Sequence, residues 1–366
     1  MRKVAWVTTA ENPPVRIRPE IAATQPYRQG RQAAPDAFKL SSNESPFAPH
    51  PAVTAAIAEA TINRYPDASA QALRDVLAAR HGVSSDMVHV GAGSVSILSQ
   101  LIQAVAGPGD EVIYSWRSFE AYPGLVTVAG ANSVQVPSLT DHRHDLPAMA
   151  AAVTERTRAI IVCSPNNPTG TIVTEDEFTA FMAEVPRSVL VMFDEAYIEF
   201  AGPDAARGPA LLAEHPNLVV LKTFSKAYGL AGLRIGYGLG APYILDAARA
   251  TAIPLSVTEQ GQRAALAALA HEDDYRQQLD EIIARREQIT DALIAQGWKV
   301  PRSHGNFVWL PTGDFTTAAA ELFMERGIVA RALGEGIRIS IGEAESVDTL
   351  LKAAAEVVAK LPSAAQ

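Results

Sequence analysis

Leu218-Val219-Val220-Leu221-Lys222-Thr223-Phe224-Ser225-Lys226, followed by Gly232-Leu233-Arg234-Ile235-Gly236-Tyr237-Gly238, is the most informative stretch of the chain. Residues 218–221 form a short, unbroken apolar run, the pattern of a strand buried on both faces. Polar residues follow at its end. A lysine there, among hydroxyls and with an arginine eight residues on, reads as a Schiff-base nucleophile beside a phosphate site. Thr223 and Ser225 can donate hydrogen bonds, and Arg234 offers a planar fork to phosphate oxygens. A lone Ser-Lys pair reads as a surface loop with a solvated lysine. The threonine, the arginine spacing and the glycines favour a site.

Outward from this stretch, strand and helix patterns alternate. Residues 52–62 and 70–80 have helical spacing. Residues 87–90 read as a strand, 95–105 as a helix, 111–114 as a strand, 119–128 as a helix and 133–136 as a strand. The runs 159–163 and 188–193 suit buried strands, with a helix over 175–184 between them. This alternation implies an α/β domain around a mostly parallel sheet with helices on both faces. Ligands bind such sheets beyond the carboxyl ends of the strands. After about residue 255 the pattern changes to long helices (260–270, 275–296), short strands (307–310, 328–331, 337–341) and a last helix (347–360). That predicts a second, smaller α/β layer. The expected division is an arm and part of the small domain over 1–49, a large domain over 50–255 and a small domain over 256–366.

Three further motifs fall at strand ends. Phe193-Asp194-Glu195-Ala196-Tyr197 puts a carboxylate where it can keep a pyridine nitrogen protonated, with Tyr197 within reach of the same ring; the alternative is a helix N-cap by Asp194. Ser164-Pro165-Asn166-Asn167-Pro168-Thr169-Gly170 is a turn whose Asn167 could bind a phenolic oxygen opposite Tyr197, or simply a β-turn. Gly91-Ala92-Gly93-Ser94-Val95 opens a helix whose first N–H groups suit a phosphate. A dinucleotide fingerprint does not fit, because Ser96 stands at its third small position and no acidic residue follows at the expected distance.

Composition narrows the classes. The 366 residues carry a net charge of −9 and are 48% hydrophobic, a globular balance with material for about two domains. The acidic balance argues against nucleic-acid or anionic-membrane binding. A single cysteine, Cys163, excludes an internal disulfide and a cysteine-based zinc site, and fits a reducing compartment. The triplet His142-Arg143-His144 reads as a solvated turn, since consecutive residues do not converge on one metal ion, and Glu281 to Glu287 reads as the wet face of a helix. No segment reaches the roughly 18 apolar residues of a membrane span, and the run at 4–7 is too short for a signal peptide. The expected location is the cytoplasm. Only seven of the 31 basic residues are lysine, so each lysine invites inspection.

Taken together and in this order, the motifs resemble the fold type I pyridoxal-phosphate aminotransferases over essentially the whole chain. Leu40-Ser41-Ser42-Asn43-Glu44-Ser45-Pro46, Asn63-Arg64-Tyr65-Pro66-Asp67 and Gly336-Ile337-Arg338-Ile339-Ser340 are similar to the histidinol-phosphate/aromatic aminotransferase subgroup. The resemblance implies a pyridoxal 5'-phosphate enzyme in which Lys226 carries the cofactor covalently. It implies that Asp194 meets the pyridine nitrogen, Asn167 and Tyr197 the phenolic oxygen, and that Phe119 stacks on the ring. Ser94, the N–H of Val95, Thr223, Ser225 and Arg234 would hold the phosphate. Tyr65 would reach the phosphate of the other subunit, making a homodimer with shared sites. Arg338 would clamp the substrate α-carboxylate, with Tyr27, Asn43 and Arg331 on the substrate side. The implied reaction is ping-pong transamination of small amino and oxo acids.

For substrate, Ser45 replaces the second asparagine of the usual Asn-Glu-Asn-Pro, and Val95-Ser96 replaces a common Asp-Glu. Trp116-Arg117-Ser118-Phe119-Glu120-Ala121-Tyr122-Pro123 looks more like the actinobacterial aromatic (phenylalanine) aminotransferases. The expectation is therefore transfer between an aromatic amino acid (phenylalanine, tyrosine or tryptophan) and 2-oxoglutarate. Histidinol-phosphate transamination is the alternative. A regulator built on the same fold would need an added basic domain, for which an acidic chain of this length leaves no room.

Overall fold

The runs 159–163, 190–194 and 218–223 lie side by side as parallel strands, and alternate residues along them feed two different cores. Ile160, Val162, Val191, Phe193, Leu218 and Val220 face one cluster, whereas Ala159, Ile161, Cys163, Leu190, Met192, Val219 and Leu221 face the other. That is why these strands are apolar without alternation. The computed structural model describes residues 15–26, 33, 34 and 36–361.

The strands are β1 Phe38–Lys39, β2 Val88–Gly91, β3 Glu111–Trp116, β4 Asn132–Pro137, β5 Thr157–Cys163, β6 Leu190–Asp194, β7 Leu218–Thr223, β8 Gly236–Gly240, β9 Phe307–Pro311, β10 Ile328–Val329, β11 Arg331–Ala332 and β12 Gly336–Ser340. Seven form the main sheet in the order β2-β8-β7-β6-β5-β3-β4. All its pairs are parallel except those of β8, which runs antiparallel to β2 and β7. Helices Ser94–Val105 and Pro242–Ala250 cover one face, through Ile97, Leu98, Leu101 and Leu245. Helices Gln71–His81 and Glu175–Glu184 cover the other, through Leu73, Leu77, Phe178 and Phe181. That second core continues into the smaller part of the molecule, through Phe307, Ile337 and Ile339.

There, β11, β12 and β9 make an antiparallel sheet, and β1 pairs in parallel with β10, Phe38 opposite Ile328. Residues 328–331, expected as one strand, are two. The chain leaves β1 at Val329 and joins β12 at Arg331, so a single apolar run serves two sheets. Strand β8 and helix Pro242–Ala250 are additions to the sequence-based expectation. Two other features differ from it. His144 is buried and its Nε2 lies 2.7 Å from the Cys163 carbonyl, so the turn at 141–145 is not fully solvated. Arg286, inside the charged stretch 281–287, is also buried and donates to the carbonyls of Phe200 and Gly305.

Candidate active site

Four parallel strands end at one edge of the main sheet. Trp116 ends β3, Cys163 ends β5, Asp194 ends β6 and Thr223 ends β7, with Cys163 opposite Asp194 in register. The loops that follow are stitched together by Asn166, which accepts from Ser118 Oγ at 2.7 Å and donates to the Arg117 carbonyl at 3.1 Å and to Thr169 Oγ1 at 2.9 Å. Of the paired asparagines, Asn166 therefore holds the loops and Asn167 is left for the site.

One pole of the cluster is built for an anion. Helix Ser94–Val105 starts after Gly93 with no side-chain cap, so its first N–H groups lack intrahelical acceptors. Gly93 has φ +84°, and a Cβ on it would sit 2.6 Å from Arg234 Nη2. A Cβ on Gly236 would sit 2.6 Å from the Ser94 nitrogen and 2.8 Å from the Lys222 carbonyl. These two glycines let the helix start, β8 and Arg234 pack together. Arg234 Nη1 donates to Ser225 Oγ at 3.3 Å, and the Ser225 N–H donates to Thr223 Oγ1 at 3.1 Å. The helix start at Ser94 and Val95 thus packs close to Arg234 and β8, and hydrogen bonds link Thr223, Ser225 and Arg234. Their chemistry fits a phosphate.

The other pole is built for a cation. Asp194 is buried, and its Oδ2 accepts from the Tyr122 hydroxyl at 2.7 Å. Burial pushes its carboxyl up to about 6, and the Tyr122 hydrogen bond pulls part of the way back. A protonated ring nitrogen would relieve this buried charge. No helix starts at Asp194; its Oδ1 accepts from the Ala196 N–H at 3.3 Å. Phe119 stands edge-on to Tyr122, with ring centroids 5.5 Å apart.

Lys226 directly follows Ser225 of the anion pole. Its Nζ donates to the carbonyls of Ser42 and Asn43, both at 3.1 Å, and lies 5.7 Å from the centre of the Tyr197 ring. Burial pushes its ammonium down to about 7; Arg338 and Arg234 act in the same direction, against Glu44. A lysine in that range is available as a neutral nucleophile near neutral pH. The buried Tyr197 hydroxyl accepts from Asn43 Nδ2 at 3.0 Å and from Asn167 Nδ2 at 3.5 Å. Asn43 has φ +53°, and its N–H donates to Ser340 Oγ at 2.8 Å.

Arg338 of β12 reaches across from the small sheet, donating to Asn167 Oδ1 at 2.6 Å and to the Ser41 carbonyl at 2.7 Å. Arg331 is its cross-strand partner and is ion-paired with Glu120. Arg117 pairs with Glu335 at 3.5 Å, so both flanks of the Phe119 loop are tied to the small sheet. A cleft of about 430 Å³ beside these groups is lined by Trp116, Leu139, Thr169 and Trp309 among others. Tyr65 stands apart from the cluster and is 85% exposed, and Tyr27 lies outside the described residues.

Sequence reasoning missed Tyr122, Glu120 and Ser340. Their partners are 72, 211 and 297 residues away, and no local spacing encodes such contacts. It also passed over Lys222, which is buried between Glu195 at 3.0 Å and Glu199 at 3.1 Å. Burial opposes its charge, but the two carboxylates win and raise its pKa. Lys222 is thus an internal counter-ion, unlike Lys226.

The family model "Aminotransferase class I and II" matches residues 35–353. The chain is 49% identical over 336 residues to an aromatic amino acid aminotransferase of Cutibacterium acnes, covering 91% of this chain and 96% of the relative. It is 47% identical to one of Streptomyces coelicolor, covering 93% and 97%. The crystal structure of histidinol-phosphate aminotransferase from Sinorhizobium meliloti in complex with pyridoxal-5'-phosphate superposes with a TM-score of 0.83 at 30% identity, over 94% of this chain and 98% of that one. A family match over most of the chain, relatives near half identity and a solved neighbour holding pyridoxal-5'-phosphate agree with the chemistry of these strand ends: the chain belongs to the class I and II aminotransferases of fold type I, and its cofactor is pyridoxal 5'-phosphate.

Proposed function

We propose that the protein transfers the amino group of an aromatic L-amino acid (phenylalanine, tyrosine or tryptophan) to 2-oxoglutarate by a ping-pong mechanism. The observation that carries the reading is Lys226: a lysine pushed down to about 7, flanked by a phosphate cup and a buried carboxylate, with an arginine facing it from the small sheet. The aromatic choice is supported by the relatives' names.

In this reading pyridoxal phosphate, when bound, supplies the electron sink. Ser94, the Val95 N–H, Thr223, Ser225 and Arg234 bind its phosphate, and Asp194 holds the proton on its ring nitrogen. Asn167 and Tyr197 bind its phenolic oxygen, and Phe119 covers the ring. Arg338 turns from Asn167 and the Ser41 carbonyl to the substrate carboxylate as a two-pronged donor. The Lys226 amine would take up the proton from the substrate Cα and hold it for return. Asn43 and Arg331 line the substrate side. Residues 50–255 carry the cofactor groups, and 256–366 with the segment up to 49 carry the clamp. Tyr65 serves the partner's phosphate in a homodimer; its exposure, with Ile62 at 83% nearby, suits an interface. Single, buried Cys163 suits a cytoplasmic setting.

The test compares turnover of phenylalanine and of histidinol phosphate with 2-oxoglutarate as acceptor. A clear preference for phenylalanine is expected. A large preference for histidinol phosphate would overturn the aromatic assignment and leave the family intact.

A further inference from the structure

The two arginines on the substrate side have different surroundings. Arg338 donates to two neutral oxygens, Asn167 Oδ1 and the Ser41 carbonyl. Arg331 sits directly opposite Arg338 on the β11–β12 pair, and opposed residues project from the same face of a sheet. Its guanidinium, however, is already engaged by the Glu120 carboxylate. The pair is largely shielded, with side chains 16% and 20% exposed. Glu120 directly follows Phe119 and lies two residues before Tyr122, the partner of Asp194. It therefore stands on the loop that joins the ring side of the site to the small sheet.

We propose that Glu120 is a specificity-determining residue, an internal competitor for Arg331 that sets the balance between uncharged aromatic and anionic substrate side chains. With the pair closed, Arg338 offers its charge to an α-carboxylate, and the Arg331–Glu120 pair beside it has no net charge. That wall suits an aromatic ring. A distal carboxylate must instead displace Glu120 from Arg331 and then sit close to a second anion. Like charges juxtaposed in a shielded site cost affinity. The same device still admits 2-oxoglutarate at the second half-reaction, at a higher concentration than an uncompensated Arg331 would need. It gives the two-arginine arrangement, which by residue type suits either substrate class, a direction.

The test uses holoenzyme and two unreactive ligands, glutarate and 3-phenylpropionate. Each offers one carboxylate to Arg338; they differ in a distal carboxylate against a phenyl ring. Binding is read from the change each causes in the absorption of the loaded protein. Glu120→Gln is expected to shift the ratio of the two Kd values toward glutarate by at least about tenfold, the equivalent of 1.4 kcal/mol. Glu120→Ser should shift it in the same direction, and Glu120→Asp should keep the parent ratio. Adding Arg331→Gln to Glu120→Gln should erase the gain. In turnover, glutamate should gain on phenylalanine through KM more than kcat. An unchanged ratio in the Gln and Ser variants overturns the proposal, and so does a gain that survives loss of Arg331. If Gln alone fails to fold, Ser against Asp decides; if all three fail, Glu120 is a structural residue and the proposal falls. The inference rests on the aromatic reading only for its turnover arm. A parent enzyme that ignores phenylalanine refutes that reading, while the ratio of the two unreactive ligands still judges Glu120.

Discussion

Asp194→Asn is expected to stabilise the cofactor-free protein above pH 6 while disabling the loaded enzyme. The folded carboxyl is pushed up to about 6 by burial, against 3.8 for an ordinary aspartate. Between those values the folded state holds a proton that the unfolded chain has released. Stability contributed by the protonated group is thus present below pH 4 and lost as pH rises through 6. The loss is roughly two pKa units, on the order of 3 kcal/mol once complete. Asparagine has the same shape, still accepts the Tyr122 hydroxyl and does not titrate. Apo Asp194→Asn should therefore melt about 2–4 °C above apo parent at pH 8, from the usual entropy of unfolding a chain of this size. The difference should vanish at pH 4. With pyridoxal phosphate bound the order should invert, because the cation that compensates the carboxylate is then present. Turnover should fall by about 10²-fold or more, the rate equivalent of that same lost interaction. Calorimetric scans of apo and loaded protein at the two pH values decide the matter. A variant that destabilises the apo protein equally at pH 4 and pH 8 would show that Asp194 carries no stored electrostatic penalty.

Capture of pyridoxal phosphate by the apo protein should quicken as pH rises through about 7, where Lys226 loses its proton; a rise only near pH 10 would show a solvated lysine. Lys226→Ala should abolish both the covalent attachment and turnover, and full activity after it would refute the assigned role. Gly236→Ala should cost about 1–3 kcal/mol and weaken cofactor affinity, because the new methyl meets the Ser94 nitrogen and the Lys222 carbonyl, neither of which can swing aside; equilibrium unfolding and a cofactor titration read the two effects. On the proposed homodimer reading, Tyr65→Phe should lower cofactor affinity, measured by dialysis against limiting cofactor, and a variant indistinguishable from parent would refute the role proposed for Tyr65.

What could be read in the sequence follows from range. Strands β5, β6 and β7 are legible because burial on both faces leaves unbroken apolar runs. Strand β8 is illegible by the same rule: Gly236, Gly238 and Gly240 alternate along it, and residues without side chains give no hydrophobic signal. The break at Ala330 is invisible locally because it is imposed by Phe38, whose strand claims residues 328 and 329. At the site, Asp194, Thr223, Ser225 and Lys226 stand out because each motif terminates a recognisable strand. Tyr122 does not, because nothing in the helix it begins announces a carboxylate across the sheet. Arg331 and Arg338 are visible as residues. What separates them is Glu120, and that contact exists only after folding.

The carbonyls that hold Lys226 belong to Ser42 and Asn43, and that segment is anchored by residues from the far end of the chain: Ser340 and Asn306 on Asn43, Arg338 on the Ser41 carbonyl, β10 on β1. This has a consequence for biosynthesis. During translation the strands and helices of the main sheet leave the ribosome well before residues 306–340, and domains fold as units as they emerge. The phosphate cup and Asp194 can form at that stage, but the lysine's acceptors have no anchors until the last strands appear. A nascent chain thus acquires its reactive amine in its working setting only after residues 306–340 have emerged, which ties chemical competence to the arrival of the small sheet.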